Sequence, residues 1–254
     1  MVELIYRREA AAGYDRAFAH VSSHFIPSLL RAAYLAPGMR VLDIATGTGL
    51  AAEAALAIVG PNGQVTAADI SPAMVEKARE RLGSVQNALV VVEDGQKLSF
   101  DDESFDAVLC SLGLMFFQDA ERSLSEFYRV LRPGGRAAVS VNTVPERSFN
   151  ARINIAIGRH VPSLAEAAAR LFSLGDEERL RLLFEATGFR NMDFKTEFHR
   201  FVVPSFDAYF EPYEQGACSP GQAFVLLPVE VRRAVREQVR RDLGDTGGPI
   251  DIEV

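Results

Sequence analysis

Asp43, Asp69, Asp94 and Ser111 each fall at or just after the end of a short apolar run in the first half of the chain. Carboxylates presented in this way accept hydrogen bonds from hydroxyl, amine and ammonium groups. The first is the most telling. Val41-Leu42-Asp43-Ile44 runs into Ala45-Thr46-Gly47-Thr48-Gly49, and the Ala-rich stretch Leu50-Ala51-Ala52-Glu53 follows. That order reads as strand, tight loop and helix, with loop amides and a helix N-terminus turned toward a ligand. Gly47 and Gly49 let the backbone turn sharply and come close to what is bound. The same residues fit a dinucleotide fingerprint with alanine in third place, and Asp69 follows at about the 20-residue spacing. Asp43 points elsewhere. A carboxylate there would repel a pyrophosphate but suits a ligand that carries an ammonium group.

The elements that must position these groups alternate. Strands are expected over residues 40–45, 64–69, 89–93, 105–111 and 136–141, with helices over 50–59, 72–82 and 120–131. Ser71 and Pro72 form a cap and first turn for the second of those helices. This rhythm predicts a doubly wound α/β sheet with helices on both faces, and the carboxyl ends of its strands gather Asp43, Asp69, Asp94 and Ser111 at one crevice. A helix over 176–187 stops at Gly188, and residues 190–197 and 199–203 read as a final hairpin. The segment 143–172, with Pro145, Pro162 and an Ala-rich stretch, breaks the rhythm and reads as an inserted helical lid. Beyond Pro204, helices near 206–214 and 229–243 form a C-terminal helical extension. The whole chain, 1–254, reads as one domain.

Ala67-Ala68-Asp69-Ile70-Ser71-Pro72, Val91-Val92-Glu93-Asp94-Gly95, Ser104 to Ser111 and Leu131-Arg132-Pro133-Gly134-Gly135 follow the first motif in order. The series resembles the class I S-adenosylmethionine-dependent methyltransferases, nearest to the ubiquinone/menaquinone C-methyltransferase-like branch, whose loop reads Leu-Asp-x-Ala-x-Gly-Thr-Gly. The likeness covers roughly residues 10 to 143, with weaker echoes to about 203. It implies a Rossmann-like sheet of seven strands, the last antiparallel, and S-adenosyl-L-methionine as cofactor. It further implies that Asp43, Ala45, Thr46, Gly47, Thr48 and Gly49 surround the amino-acid end of the cofactor. Asp69 would hold the ribose hydroxyls, Asp94 and Gly95 the adenine edge, and Ile70 and Met74 the adenine faces. Ser111 and Leu112 would meet the methionine portion, and Tyr14 resembles a tyrosine that closes over the cofactor. Ala45 stands where the broader class often has glycine, and Asp94-Gly95 replaces the branch's usual Asn-Ala.

Each of these positions also has a plainer role. Asp-Gly is a common turn pair, Met74 and Ile70 fit a core, and Leu114-Met115-Phe116-Phe117 reads as packing, with Phe117 a candidate floor for a substrate pocket. His20, His160 and His199 are the candidate general bases, having the side chain that titrates near neutrality, although a lone histidine is more often structural.

Composition narrows the class. A formal charge of −7 argues against a sequence-independent grip on nucleic acid. Arg232, Arg233, Arg236, Arg240 and Arg241 alternate with Glu230, Glu237 and Asp242 as a solvated helix face would. Two cysteines, Cys110 and Cys218, make no disulfide framework, which suits a reducing, cytoplasmic setting. The opening residues lack the apolar core of a signal peptide. No apolar run approaches the ~18 to 20 residues of a membrane span, and the scattered histidines offer no metal site. The expected activity is methyl transfer to a small, fairly apolar molecule. A nicotinamide-dependent oxidoreductase, an RNA methyltransferase and a non-catalytic cofactor-binding protein are the alternatives. The sequence carries no signal of oligomeric state.

Overall fold

The computed structural model describes residues 7–254. Five apolar segments form one parallel sheet: β1 (Arg40–Ile44), β2 (Gln64–Asp69), β3 (Ala88–Val92), β4 (Phe105–Ser111) and β5 (Leu131–Ser140), in the order β3-β2-β1-β4-β5. Val41 pairs with Val65 on one side and with Ala107 on the other. A strand flanked in this way needs apolar side chains on both faces, which β1 supplies with Val41, Leu42 and Ile44. The chain winds outward from β1 to β3 and then returns to lay β4 beside β1. The carboxyl ends of β1 and β4 therefore flank the topological switch point, where open α/β sheets hold their ligands.

The chain folds as two compact units. The sheet unit contains Ser22–Val141 and Asp176–Phe194. Its helices are α2 (Leu50–Val59), α3 (Pro72–Leu82), α4 (Ala120–Val130) and α7 (Glu177–Ala186), together with the end of α1 (Arg8–Ala32). Ser71, Asp119 and Asp176 cap α3, α4 and α7 by accepting from amides in their first turns. The core joins Ile26, Leu29 and Leu30 of α1 to Ala51, Ala52 and Ala55 of α2 and to Val41, Val65, Ala107 and Leu109 of the sheet. The alanines let helix and strands approach closely.

The helical unit contains residues 7–21, Asn142–Gly175 and Lys195–Val254. It comprises the start of α1, α5 (Ala151–His160), α6 (Pro162–Arg170), α8 (Phe206–Glu214), α9 (Cys218–Val225), α10 (Val229–Asp242) and a two-stranded sheet of β6 (Arg200–Val203) and β7 (Ile250–Glu253). Its core is aromatic: Phe206, Tyr209, Phe210 and Tyr213 of α8 are all fully buried. The Tyr209 hydroxyl donates to the Phe149 carbonyl at 2.6 Å, and that of Tyr213 to Asn150 Oδ1 at 2.7 Å.

The structure corrects the sequence reading in several places. The parallel sheet has five strands, not seven, and no antiparallel strand joins it among the described residues. Residues 190–197 form no strand; Asn191 takes a left-handed φ of 57° that breaks an extended run. β6 instead pairs antiparallel with β7, whose alternation buries Ile250 and Ile252 and exposes Asp251 and Glu253. Helix α9 was not anticipated, its Pro220 and Gly221 masking the signal. Two of the α10 arginines, Arg236 and Arg240, are also less solvated than expected, while Arg233 and Arg241 are exposed. Arg236 pairs with Asp207 and Glu214 and lies over the Phe206 ring, and Arg240 does so with Asp207 and Asp245. No helix among the described residues is long and apolar enough to cross a membrane.

One side chain holds the loop that leads from β3 into β4. Arg129 of α4 donates to the carbonyls of Leu98 and Phe100 at 3.0 and 2.8 Å and pairs with Glu126 and Asp102. Glu126 in turn accepts from the Leu98 amide at 2.7 Å. The Arg129 contact holds the Glu126 carboxyl below its ordinary pKa. We expect Arg129→Ala to lower stability by about 2 to 3 kcal/mol, chiefly from carbonyls left without their charged donor; partial exposure of the guanidinium limits the ion-pair share. Urea unfolding should show a lower midpoint at unchanged slope. A shift below about 0.5 kcal/mol, the scatter of ordinary surface changes, would mean that Glu126 holds the loop alone.

Candidate functional site

Asp43 is the penultimate residue of β1 and is fully enclosed. Its Oδ2 accepts from the Thr46 hydroxyl at 2.6 Å, while its Oδ1, equally buried, has no hydrogen-bond partner among the described residues. Leaving such an oxygen unsatisfied costs about 1 to 3 kcal/mol and more when it is charged, so the site is built for a donor. Burial pushes the Asp43 carboxyl up to about 7; the Thr46 bond opposes this, the charge of Asp69 adds to it, and the Ala52 amide in the first turn of α2 favours the ionised form.

Asp69, at the end of β2, accepts from the Gly47 amide through Oδ2 and from the Ser71 amide through Oδ1, both at 2.9 Å. It thus ties the glycine loop to the start of α3. An ionised carboxylate offers about four acceptor sites, so further donors can be met. Burial raises its pKa and the two amide bonds pull against that rise.

The loop glycines do different work. Gly47 is left-handed (φ 57°) and a side chain there would meet nothing within 4 Å, so its backbone lies on the open side. Gly49 is also left-handed (φ 87°), and a Cβ there would stand 3.2 Å from Leu82 Cδ1 and 3.4 Å from Ala78 of α3, so its lack of a side chain lets α3 pack close. Thr48 is buried, and its carbonyl accepts from Arg81 at 2.8 Å.

At the switch point Ala45 and Leu112 both adopt left-handed backbone, with φ of 56° and 50°. Each costs roughly 1 to 2 kcal/mol for a residue with a side chain. The Leu112 amide bonds the Ser140 carbonyl and hydroxyl at 3.1 and 3.0 Å, and Ser111 pairs with Ser140 across the strands. The sequence reading missed Gly113. A Cβ there would lie 2.6 Å from that of Ala45 and 2.9 Å from the Cys110 sulfur, so only glycine closes the junction of β1 with β4. Its signal was the Ser-Leu-Gly that ends the fourth strand.

Asp94 makes a turn: its Oδ1 accepts from the Gln96 amide at 2.9 Å, and its carbonyl from the Lys97 amide. Gly95 is buried beneath Phe117 and Ile44. Ile70 is exposed at the strand end, whereas Met74 is buried with Val75 and Ala78 on the inner face of α3. Of that pair only Ile70 presents surface.

Tyr14, His20, His160 and His199 belong to the helical unit. Tyr14 packs on Phe18, with ring centres 5.8 Å apart. His20 lies edge-on to Phe149 and Phe201, and partial burial lowers its pKa. His160 is exposed in the last turn of α5. His199 continues the β6–β7 pairing through backbone bonds with Val254.

Comparison with known proteins agrees with this geometry. A family profile described as a methyltransferase domain matches residues 42–139. The ubiquinone/menaquinone biosynthesis C-methyltransferase UbiE of Idiomarina loihiensis is 32% identical over 173 residues, which is 62% of this chain and 69% of that protein. The enzyme of the same description from Ectopseudomonas mendocina is 41% identical over 120 residues, 46% of this chain and 47% of its own. Among solved structures, the YcgJ protein of Bacillus subtilis superposes with a TM-score of 0.61 at 19% identity, covering 90% of this chain and 93% of that one. A SAM-dependent methyltransferase of Aquifex aeolicus gives 0.54 at 19%, covering 78% and 93%. At those identities the two structures speak to the fold alone.

The packing at Gly95 can be tested directly. A methyl group there would stand 2.7 Å from two Phe117 ring carbons and 2.9 Å from Ile44 Cγ2. We expect Gly95→Ala to cost about 1 to 3 kcal/mol by overpacking, with at least half recovered in a Phe117→Leu background. A double-mutant cycle by chemical denaturation reads this coupling. Equal losses in both backgrounds would place the constraint on the backbone instead.

Proposed function

This chain belongs to the S-adenosylmethionine-dependent methyltransferase family, and from that premise we propose that it methylates a small, fairly apolar acceptor and releases S-adenosylhomocysteine. Membership settles the choice between an adenosyl sulfonium and a nicotinamide dinucleotide. The single observation that most supports the assignment of the site is the unpaired, buried Oδ1 of Asp43, which fits the ammonium of the cofactor.

Bound S-adenosylmethionine supplies a methyl group already activated on a sulfonium. The residues then have to bind, orient and exclude water. Asp43 neutralises the ammonium, and Thr48 with the amides beside Gly47 and Gly49 accommodates the carboxylate at the start of α2. Ala45, Thr46, Ser111 and Leu112 shape the methionine end. Asp69, with acceptor sites to spare, takes the ribose hydroxyls. Asp94 and the Gly95 amide meet the adenine edge, and Ile70 covers one face with Met74 behind it. Holding nucleophile and methyl carbon in line contributes up to ~7 to 11 kcal/mol of barrier lowering.

The names of the relatives, enzymes of ubiquinone and menaquinone synthesis, support an apolar acceptor. The lid assigned to residues 143–172 rests on chain order: the segment follows directly on β5, the neighbour of β4 in the sheet. Tyr14 on α1 is proposed to close over the cofactor with it.

Titration calorimetry with S-adenosylhomocysteine tests the cofactor site. The folded pKa of Asp43, about 7, lies above the ordinary 3.8. Its contribution to stability is therefore complete below pH 3.8 and is lost as pH rises through about 7. The charge that a ligand ammonium requires appears in the folded protein as pH rises through about 7. Affinity should fall by up to about tenfold per pH unit below 7, and Asp43→Asn should flatten that dependence. Asp69→Ala should weaken binding by about 1.5 to 3 kcal/mol. Equal wild-type affinity at pH 5.5 and pH 8 would remove Asp43 from the ammonium.

Hydrogen exchange tests the lid. With S-adenosylhomocysteine and an apolar quinol acceptor present, protection should rise over 144–172 and 14–24, since lids are drawn from the less stable parts of a fold. Protection confined to the loop around Gly47 would make the segment a static appendage.

A further inference from the structure

Thr46 has a fixed place in the site that its neighbours explain only in part. Its amide donates to the Ala68 carbonyl at 3.0 Å and its carbonyl accepts from the Gly49 amide at 2.9 Å. The backbone is thereby locked between β1 and β2, and the buried hydroxyl is carried to within 2.6 Å of Asp43 Oδ2. That bond engages Oδ2 and leaves Oδ1 as the carboxylate oxygen with no hydrogen-bond partner among the described residues.

We propose that Thr46 is a positioning residue for the ammonium end of the cofactor: its hydroxyl sets the plane of the Asp43 carboxylate and reserves Oδ1 for the ligand. This rests on the reading of Asp43 given above and deepens it. The groups around Asp43 divide into two sets. Asp69 of β2 opposes its ionisation by charge, and the Cys110 thiol of β4 is kept neutral by burial, with Asp43 itself adding to that effect. The Thr46 hydroxyl and the Ala52 amide favour the ionised form. Deleting the hydroxyl removes one of two supports and frees the carboxylate to rotate.

The test compares wild type, Thr46→Val and Thr46→Ser by S-adenosylhomocysteine calorimetry from pH 5.5 to pH 9, alongside a carboxyl NMR titration of Asp43 in the free protein. Valine should move the midpoint of both titrations upward by about one pH unit, which is about a fivefold loss of affinity at pH 7 that approaches tenfold at lower pH. The affinities should converge toward pH 9, and serine should restore the wild-type profile. If valine does not fold, Thr46→Ala is read in the same way. A loss of equal factor at every pH would make Thr46 a mere loop residue, and profiles that superpose would remove it altogether. Wild type that fails to bind S-adenosylhomocysteine overturns the site assignment itself. The NMR titration of the free protein still decides the Thr46–Asp43 coupling in that case.

Discussion

A carboxylate taken out of water must be given donors or give up its charge, and much of the sheet unit is arranged around that requirement at Asp43. The residue sits in the central strand, at the one edge of the sheet where the winding reverses, so the backbone on each side is committed to β2 and β4. Support comes from one hydroxyl and from the first turn of α2. Neither satisfies the second oxygen. Its proton affinity is consequently poised near neutrality, and a cationic ligand group would complete the site more fully than any side chain among the described residues does.

Close approach is the second constraint, and glycine and alanine meet it at different points. Gly113 lets β4 turn against Ala45, Gly49 lets α2 start against α3, and Gly95 lets the turn after β3 lie under Phe117. The left-handed backbone of Ala45 and Leu112 is tolerated because both neighbours are tied into the ladder, Leu112 by its two bonds to Ser140. The strain lies where loop backbone must bend away from two adjacent strands at once, which is typical of ligand-holding positions.

Much of this was legible in the residues. β2, β4, α2, α3 and α8 have the expected limits, because Val-Ile-Leu runs, caps such as Ser71 and breakers such as Gly60 are local signals. Asp43, Asp69, Asp94 and Ser111 do fall at strand ends or just beyond them. What escaped is non-local. β7 is four residues of modest apolarity whose partner lies beyond three helices, and α9 is a short helix interrupted in sequence by Pro220 and Gly221. The Thr46–Asp43 bond and the Gly113–Ala45 approach likewise depend on how the loop turns in space.

The pairing of β6 with β7 has a further consequence. Because these strands are joined through the whole of α8, α9 and α10, their ladder closes a long loop whose entropy must be met before any ladder bond forms. The consecutive βαβ segments of the sheet unit close shorter loops, although the β1–β4 pairing of Val41 with Ala107 spans a longer one. β6, with Val202 outward, therefore stays an unpaired edge until the last strand has been synthesised. Among the described segments it is the natural point for the nascent helical unit to engage another chain's strand in place of its own.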